Sequence, residues 1–332
     1  MKKGTGLVII AAYILTACSG NGGDLPAGQS REAYSLEETQ TEEKFSTETM
    51  PTGEQSVLET TTGEDRATAE ADTDHAQRAE PMMLEEDWSD FFGSLNGTAV
   101  IYDPAENCCQ VYNRELALTR RSPCSTFKII SSLTAMESGI IAPEDSTRTW
   151  SGETFWNEEW NRDIDFQDAF RSSCVWYFRE VINEIGREAM QEELDKLQYG
   201  NCDISDWEGQ QNTNNNPALT GFWLESSLLI SPVEQAAVME RIFGDQTNYS
   251  EETVSRLRQV MLLSEQKEAD ISVYGKTGMG TFQGTVVDAW YTGFAERGDR
   301  RLYFCVYLGE TDSQEVSSAR AREIALKILS QN

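Results

Sequence analysis

Strand-like segments stand at both ends of the folded part of this chain, and helical ones fill its middle. Gly97 to Tyr102 reads as a strand, residues 103–107 (Asp-Pro-Ala-Glu-Asn) as a turn, and Cys108 to Tyr112 as the partner strand. Far downstream, Val273 to Tyr274, Val286 to Ala295 and Leu302 to Leu308 are again strand-like. Residues 296–300 make a hairpin turn between the last two. One sheet completed by distant segments satisfies both ends. The expected fold class is therefore α/β in the α+β sense: an antiparallel β-sheet flanked by helices, with a mostly helical subdomain.

The middle supplies the helices. Ile129, Ile130, Leu133 and Met136 recur at helical spacing until Gly139 ends the run. Residues 150–170 read as an aromatic loop. A second buried helix starts at Ser172 or Ser173, carries Val175, Phe178, Val181, Ile182 and Ile185 inward, and stops at Gly186. Residues 187–198 look amphipathic. Ser231-Pro232-Val233-Glu234 is a capping box with proline at the first helical position, opening a helix to about Phe243. Further helices are expected over Ser250 to Leu263 and Ser317 to Ser330.

At the head of the first long helix stands Ser125-Thr126-Phe127-Lys128. Positions three apart share a helix face, so Ser125 and Lys128 point into one site. Free N–H groups at a helix start favour developing negative charge. An apolar setting disfavours the ammonium form of lysine. A neutral lysine beside a serine serves as a base or is itself modified. The chain has one histidine, His75, in a polar stretch. That removes Ser-His-Asp, Cys-His and histidine-zinc chemistry from the folded part. The seven cysteines match no zinc spacing, and no metal is expected. Sequence leaves open whether Cys124 and Cys174 are joined.

The N-terminus reads as an export signal over residues 1–18. Lys2 and Lys3 precede an apolar run from Leu7 to Leu15, too short to span a bilayer, and then Leu-Thr-Ala-Cys18. This resembles a bacterial lipobox, which implies lipidation of Cys18 and anchoring on the extracytoplasmic face of the membrane. Residues 19–87 hold 18 acidic and four basic residues, a net of −14 out of −29 for the whole chain. They lack apolar periodicity and are read as an acidic disordered tether. The overall charge argues against nucleic acid and anionic membrane surfaces as partners, leaving the lipid anchor as the membrane contact. The folded domain is expected over residues 88–332.

Four further groups accompany Ser125-Thr126-Phe127-Lys128: Ser173-Cys174-Val175, Tyr199-Gly200-Asn201, Phe222-Trp223-Leu224-Glu225 and Lys276-Thr277-Gly278. Ser-x-x-Lys followed by a Lys-Thr-Gly strand belongs to penicillin-recognising serine enzymes. Order and spacing together resemble the class D, oxacillinase-type serine β-lactamases, from about residue 88 to the end. The resemblance implies a β-lactamase/transpeptidase-like fold, a β-lactam substrate, and Ser125 as the nucleophile of an acyl-enzyme. It implies that Lys128 is carboxylated by CO2 to N6-carboxylysine and acts as general base, with no other cofactor. It further implies that Phe127 and Val175 keep the site apolar, that Trp223 hydrogen-bonds the carbamate, and that Ser173 relays a proton. Lys276, Thr277 and Gly278 would hold the substrate carboxylate, and the Ser125 and Met279 N–H groups the oxyanion. Members often place an arginine near the last helix. Here Arg320 and Arg322 flank Ala321 at the expected position; Arg320 is named as a candidate, and sequence leaves open whether it, Arg322 or neither binds the carboxylate. Two other functions share these motifs: a β-lactam sensor that stays acylated, and a penicillin-binding peptidase. Substrate spectrum and oligomeric state are not legible.

Overall fold

A computed structural model describes residues 80–142, 145–266, 271–311 and 316–331. The export signal, Cys18 and the tether through residue 79 lie outside the described residues. In chain order the domain contains β1 (Met82–Glu85), α1 (Ser89–Phe92), β2 (Gly97–Asp103), β3 (Cys108–Tyr112) and α2 (Arg114–Ala117). A 3-10 turn at Cys124–Phe127 runs into α3 (Lys128–Glu137). Next come α4 (Phe166–Ser172), α5 (Val175–Ile185), α6 (Arg187–Leu197), α7 (Pro232–Phe243) and α8 (Glu251–Met261). The chain closes with β4 (Leu262–Gln266), β5 (Ile271–Phe282), β6 (Thr285–Arg297), β7 (Arg300–Gly309) and α9 (Ser318–Leu329).

Seven strands form one sheet in the order β1-β3-β2-β7-β6-β5-β4. The N-terminal hairpin docks on the C-terminal one through β2 and β7, with Val100 opposite Cys305. Every pairing is antiparallel except β1 with β3. Both faces of the sheet are covered, as the alternation of side chains shows. Val100, Trp290, Phe294, Tyr303 and Cys305 point into the larger core, with α3 and α5 to α8. Their neighbours Ala99, Ile101, Tyr291, Phe304 and Val306 point into a second core under α1 and α9. The capping box at the start of α7 is complete: Ser231 accepts from Glu234 N–H, and the Glu234 side chain accepts from Ser231 N–H.

Four boundaries differ from the sequence reading. Met82–Glu85, assigned to the tether, pairs in parallel with β3 as an edge strand. The aromatic stretch ends in α4, whose N-cap Asp165 accepts from Asp168 N–H at 2.8 Å. The α8 helix stops at Met261, because Leu262 turns extended (ψ 113°) and starts β4. Ser125 sits in the 3-10 turn rather than in α-helix; the α-helix proper begins at Lys128.

Candidate active site

Ser125 is set up by its neighbours. Cys124 adopts φ +50°, a left-handed conformation that costs a β-carbon residue about 1–3 kcal/mol. Thr126 Oγ1 donates to Pro123 O at 2.6 Å and accepts from Gln235 of α7 at 2.9 Å, which pins the turn from beneath. On the open side β5 lies against this turn at Gly278. A Cβ there would come within 3.0 Å of both Pro123 O and Thr126 Cγ2.

Lys128 Nζ donates to Ser125 Oγ at 2.8 Å. The lysine is 1% exposed, and its ammonium stands 5.4 Å from the centroid of the Phe178 ring. Burial pushes its pKa down to about 8. Across the site Lys276 of β5 donates to Ser173 Oγ at 2.6 Å and to Thr277 O at 3.0 Å. Lys276 is 5% exposed, and burial first, then the charge of Lys128, pushes its pKa well below the usual lysine range. Neither lysine has a carboxylate partner among the described residues. Two ammonium groups in a dry pocket are costly: Lys276 is pushed furthest from its usual range, and Lys128, at about 8, yields a neutral amine beside Ser125 once the pH passes that value.

Ser173 is aimed by a tight link between α4 and α5. It takes φ +59°, and Cys174 N–H donates to Ala169 O at 2.8 Å. Trp160 Nε1 bonds Ser172 O at 3.0 Å, and Trp176 Nε1 bonds Trp160 O at 3.0 Å. Trp223 is fully buried and packs on Phe127 with centroids 6.1 Å apart. Its indole N–H has no hydrogen-bond partner among the described residues, which is rare for a buried donor. Tyr199-Gly200-Asn201 is a latch and not part of the cavity. Gly200 has φ +56° and its Cβ would overlap Leu229 O. The Asn201 side chain accepts from Leu229 N–H at 2.9 Å and donates to Ser227 O at 2.8 Å, fixing the segment after Trp223.

A cavity of about 430 Å³ gathers Ser125, Ser173, Val175, Thr277, Gly278 and Met279. That size suits a drug-sized ligand. Its rim adds residues that sequence reasoning did not single out: Trp156, Asn212, Asn214, Leu219, Thr281 and Ser318. Thr281 is at the end of β5 and Ser318 at the start of α9; the others lie on loops or a short 3-10 turn, where no periodicity marks them. Lys128, Lys276 and Trp223 stand behind the cavity wall.

Arg320 is a correction. Its guanidinium pairs with Glu323 at 2.7 Å and reaches Phe91 O at 3.4 Å, and it does not line the cavity. Ala321 is buried, and Arg322 lies on the α9 side of the sheet, where its charge only partly offsets the upward push that burial gives the Tyr291 hydroxyl. The residue of α9 that reaches the cavity is Ser318. The six described cysteines are free thiols, so Cys124 and Cys174 are not bridged. Burial raises Cys174 to about 12 and Cys124 well above its ordinary value, which keeps both protonated.

The sequence profile described as "Penicillin binding protein transpeptidase domain" matches residues 56–330. The regulatory protein BlaR1 of Bacillus licheniformis is 33% identical over 74% of this chain, which spans 38% of that longer protein. The probable β-lactamase YbxI of Bacillus subtilis is 31% identical over 72% of this chain and 82% of its own length. Among solved structures, the C-terminal domain of the B. licheniformis BlaR penicillin-receptor superposes with TM-score 0.66 at 31% identity. It covers 76% of this chain and 98% of that one. A class D β-lactamase from Bacillus subtilis superposes with TM-score 0.63 at 29% identity, covering 74% and 95%.

The lysine geometry makes a prediction about stability. With its folded pKa near 8, Lys128 binds fewer protons in the folded than in the unfolded chain between pH 8 and about 10.5. Stability therefore rises with pH across that window, and below it the full cost, roughly 3 kcal/mol, is present. Lys128→Met should raise the urea-unfolding free energy by about 1–3 kcal/mol at pH 7 in CO2-free buffer. The gain should fade toward pH 10.5; a loss of stability at pH 7, or a gain that ignores pH, contradicts the assignment.

Proposed function

This chain belongs to the penicillin-binding protein transpeptidase domain family, with class D β-lactamases and the BlaR1 sensor among its homologues, and from that premise we propose that it is a serine β-lactamase. The observation that carries the proposal is the pairing of Ser125 with a buried lysine 2.8 Å away, opposite a second buried lysine bound to Ser173. The substrate is a β-lactam. Its carboxylate would meet Thr277 and Ser318, with the Lys276 ammonium behind the wall and the α9 N-terminus adding a favourable dipole. A substrate anion there supplies the counter-charge that Lys276 lacks, which raises its pKa and restores its proton.

Ser125 Oγ attacks the lactam carbonyl, and its proton passes to the Lys128 side. Negative charge gathers on the carbonyl oxygen, toward the Ser125 and Met279 N–H groups. The carbon–nitrogen bond then breaks, and Ser173, held by Lys276, delivers a proton to the departing nitrogen. Water then cleaves the acyl-enzyme, releasing the opened acid and free Ser125.

That last step needs a base to activate the water, and we propose that carboxylated Lys128 is the base for both acylation and deacylation. A neutral amine and CO2 give a carbamate and one proton, so the lowered pKa of Lys128 favours the reaction. The partnerless Trp223 indole N–H fits an added acceptor oxygen in this dry wall. The carbamate supplies a basic oxygen in place of imidazole. Val175 lines the same cavity with an apolar side chain.

The similarity to the BlaR receptor domain supports a second reading, a sensor that stays acylated. Time-resolved mass spectrometry with benzylpenicillin separates the two. Hydrolase function predicts an adduct at Ser125 that forms and decays within turnover. A persistent adduct identifies the sensor, and no adduct at Ser125 removes both.

Carbamate formation releases a proton, so the pH dependence has a sign. At fixed dissolved CO2 the half-saturating CO2 for turnover should rise about tenfold per unit as pH falls toward 8. Below 8, where the amine also protonates, it should rise roughly a hundredfold per unit. Trp223→Phe should raise the CO2 requirement further at every pH. Turnover in CO2-free buffer equal to that in bicarbonate contradicts the carbamate.

We propose that Cys18 carries lipid and that residues 19 to about 80 tether the domain to the outer face of the membrane. Cells fed labelled fatty acid should yield a labelled wild-type chain and an unlabelled Cys18→Ala chain; equal labelling of the two contradicts the anchor.

A further inference from the structure

Glu225 ends the Phe222-Trp223-Leu224-Glu225 motif, and none of the steps above uses it. It stands at φ +46°, a conformation that a non-glycine residue adopts at a cost, and that turn carries its side chain into the cavity wall. Its own N–H donates to Ser122 Oγ at 2.9 Å, and Ser122 donates to Trp223 O at 3.0 Å, so the turn is held from below. One carboxyl oxygen, Oε2, accepts from Asn212 Nδ2 at 2.6 Å. The other, Oε1, lies 3.6 Å from Cys124 Sγ. It also rests on Gly280, where a Cβ would overlap it and come within 2.9 Å of Cys124 Sγ. The backbone N–H of Thr281 faces the same carboxyl.

Cys124 precedes Ser125, and Gly280 follows Met279. The two backbone N–H groups assigned to the oxyanion thus belong to separate pieces of chain, the serine turn and β5. Those pieces meet at the Glu225 carboxyl. Resting on the β-lactamase reading above, we propose that Glu225 is a positioning residue whose carboxyl clamps the serine turn to β5 and so fixes the spacing of the two oxyanion donors. Glycine at 280 is required for this contact, because any side chain there would displace the carboxyl.

The groups around the carboxyl decide in which form it works. Cys124 faces it from the serine turn, Asn212 from the loop before α7, and Asp288 from β6. Asp288 in turn accepts from the Tyr307 hydroxyl of β7 at 2.7 Å and feels Arg121. Burial raises Asp288 and takes Glu225 up to about 7. A neutral Glu225 keeps the clamp without placing a negative charge behind the oxyanion. An ionised one opposes the charge that develops there.

The test is single-turnover acylation of Ser125 by benzylpenicillin at saturating bicarbonate, across pH, in wild type, Glu225→Ala and Glu225→Gln. Loss of the clamp in Glu225→Ala should slow acylation about a hundredfold, with the dissociation constant of unreacted penicillin changed by less than about threefold. Glu225→Gln keeps the shape and cannot ionise. It should stay within about tenfold of wild type and lose the wild type's decline in rate above pH 7. Glu225→Ala acylating at the wild-type rate overturns the proposal, and so does Glu225→Gln retaining the wild-type pH profile. If Glu225→Ala does not fold, the Glu225→Gln profile still decides. A wild type that is never acylated at Ser125 takes down the β-lactamase reading and the clamp with it.

Discussion

Two lysines buried at one pocket, with no carboxylate among the described residues to neutralise them, set the character of this domain. Desolvation disfavours the charge on each, and the charge of Lys128 further disfavours that of Lys276. The fold tolerates this cost because the site needs its consequence. A neutral amine next to a serine hydroxyl is a base, and it is also the form of lysine that combines with CO2. On the proposed reading, the partner across the pocket regains its proton when an anion arrives, and the pair both prepares the nucleophile and favours substrates that carry a carboxylate.

The architecture exists to bring these groups together from remote parts of the chain. Ser125 and Lys128 come from the head of α3, Ser173 from the link between α4 and α5, and Lys276 to Met279 from β5. Gly278 allows β5 to touch the serine turn, and left-handed backbone at Cys124, Ser173 and Glu225 aims three side chains at the cavity. Such strain persists only where surrounding structure over-determines it. Gln235 under Thr126, Trp160 under Ser172 and Ser122 under Glu225 supply that support.

Much of this was legible in the residues. Periodicity located the C-terminal hairpin and the long helices, and the capping box at Ser231 formed as read. The motifs named two lysines and two serines that the fold brings together in hydrogen-bonded pairs. What escaped has physical reasons. Met82–Glu85 is an edge strand with little buried surface, so it carries no alternation to read. The short α4 depends on Asp165 as its cap and on aromatic packing more than on periodicity. Arg320 failed because motif spacing does not say which side of a helix meets a cavity. Ala321 faces the sheet, and the arginine beside it is taken by Glu323. The rim at Asn212 and Asn214 is loop, where only the folded chain decides what lies near the serine. Tyr199-Gly200-Asn201 turned out to support the site from a distance, through the Leu229 backbone.

The central claim is that the amine of Lys128, dry and close to Ser125, is the group that takes up CO2. Carbon-13 NMR of the protein equilibrated with 13C-bicarbonate tests it without reference to any substrate. The account predicts one protein-bound carbamate resonance that is absent in Lys128→Met and disappears as the sample is acidified. A spectrum with no such resonance, or one that survives in Lys128→Met, would contradict it.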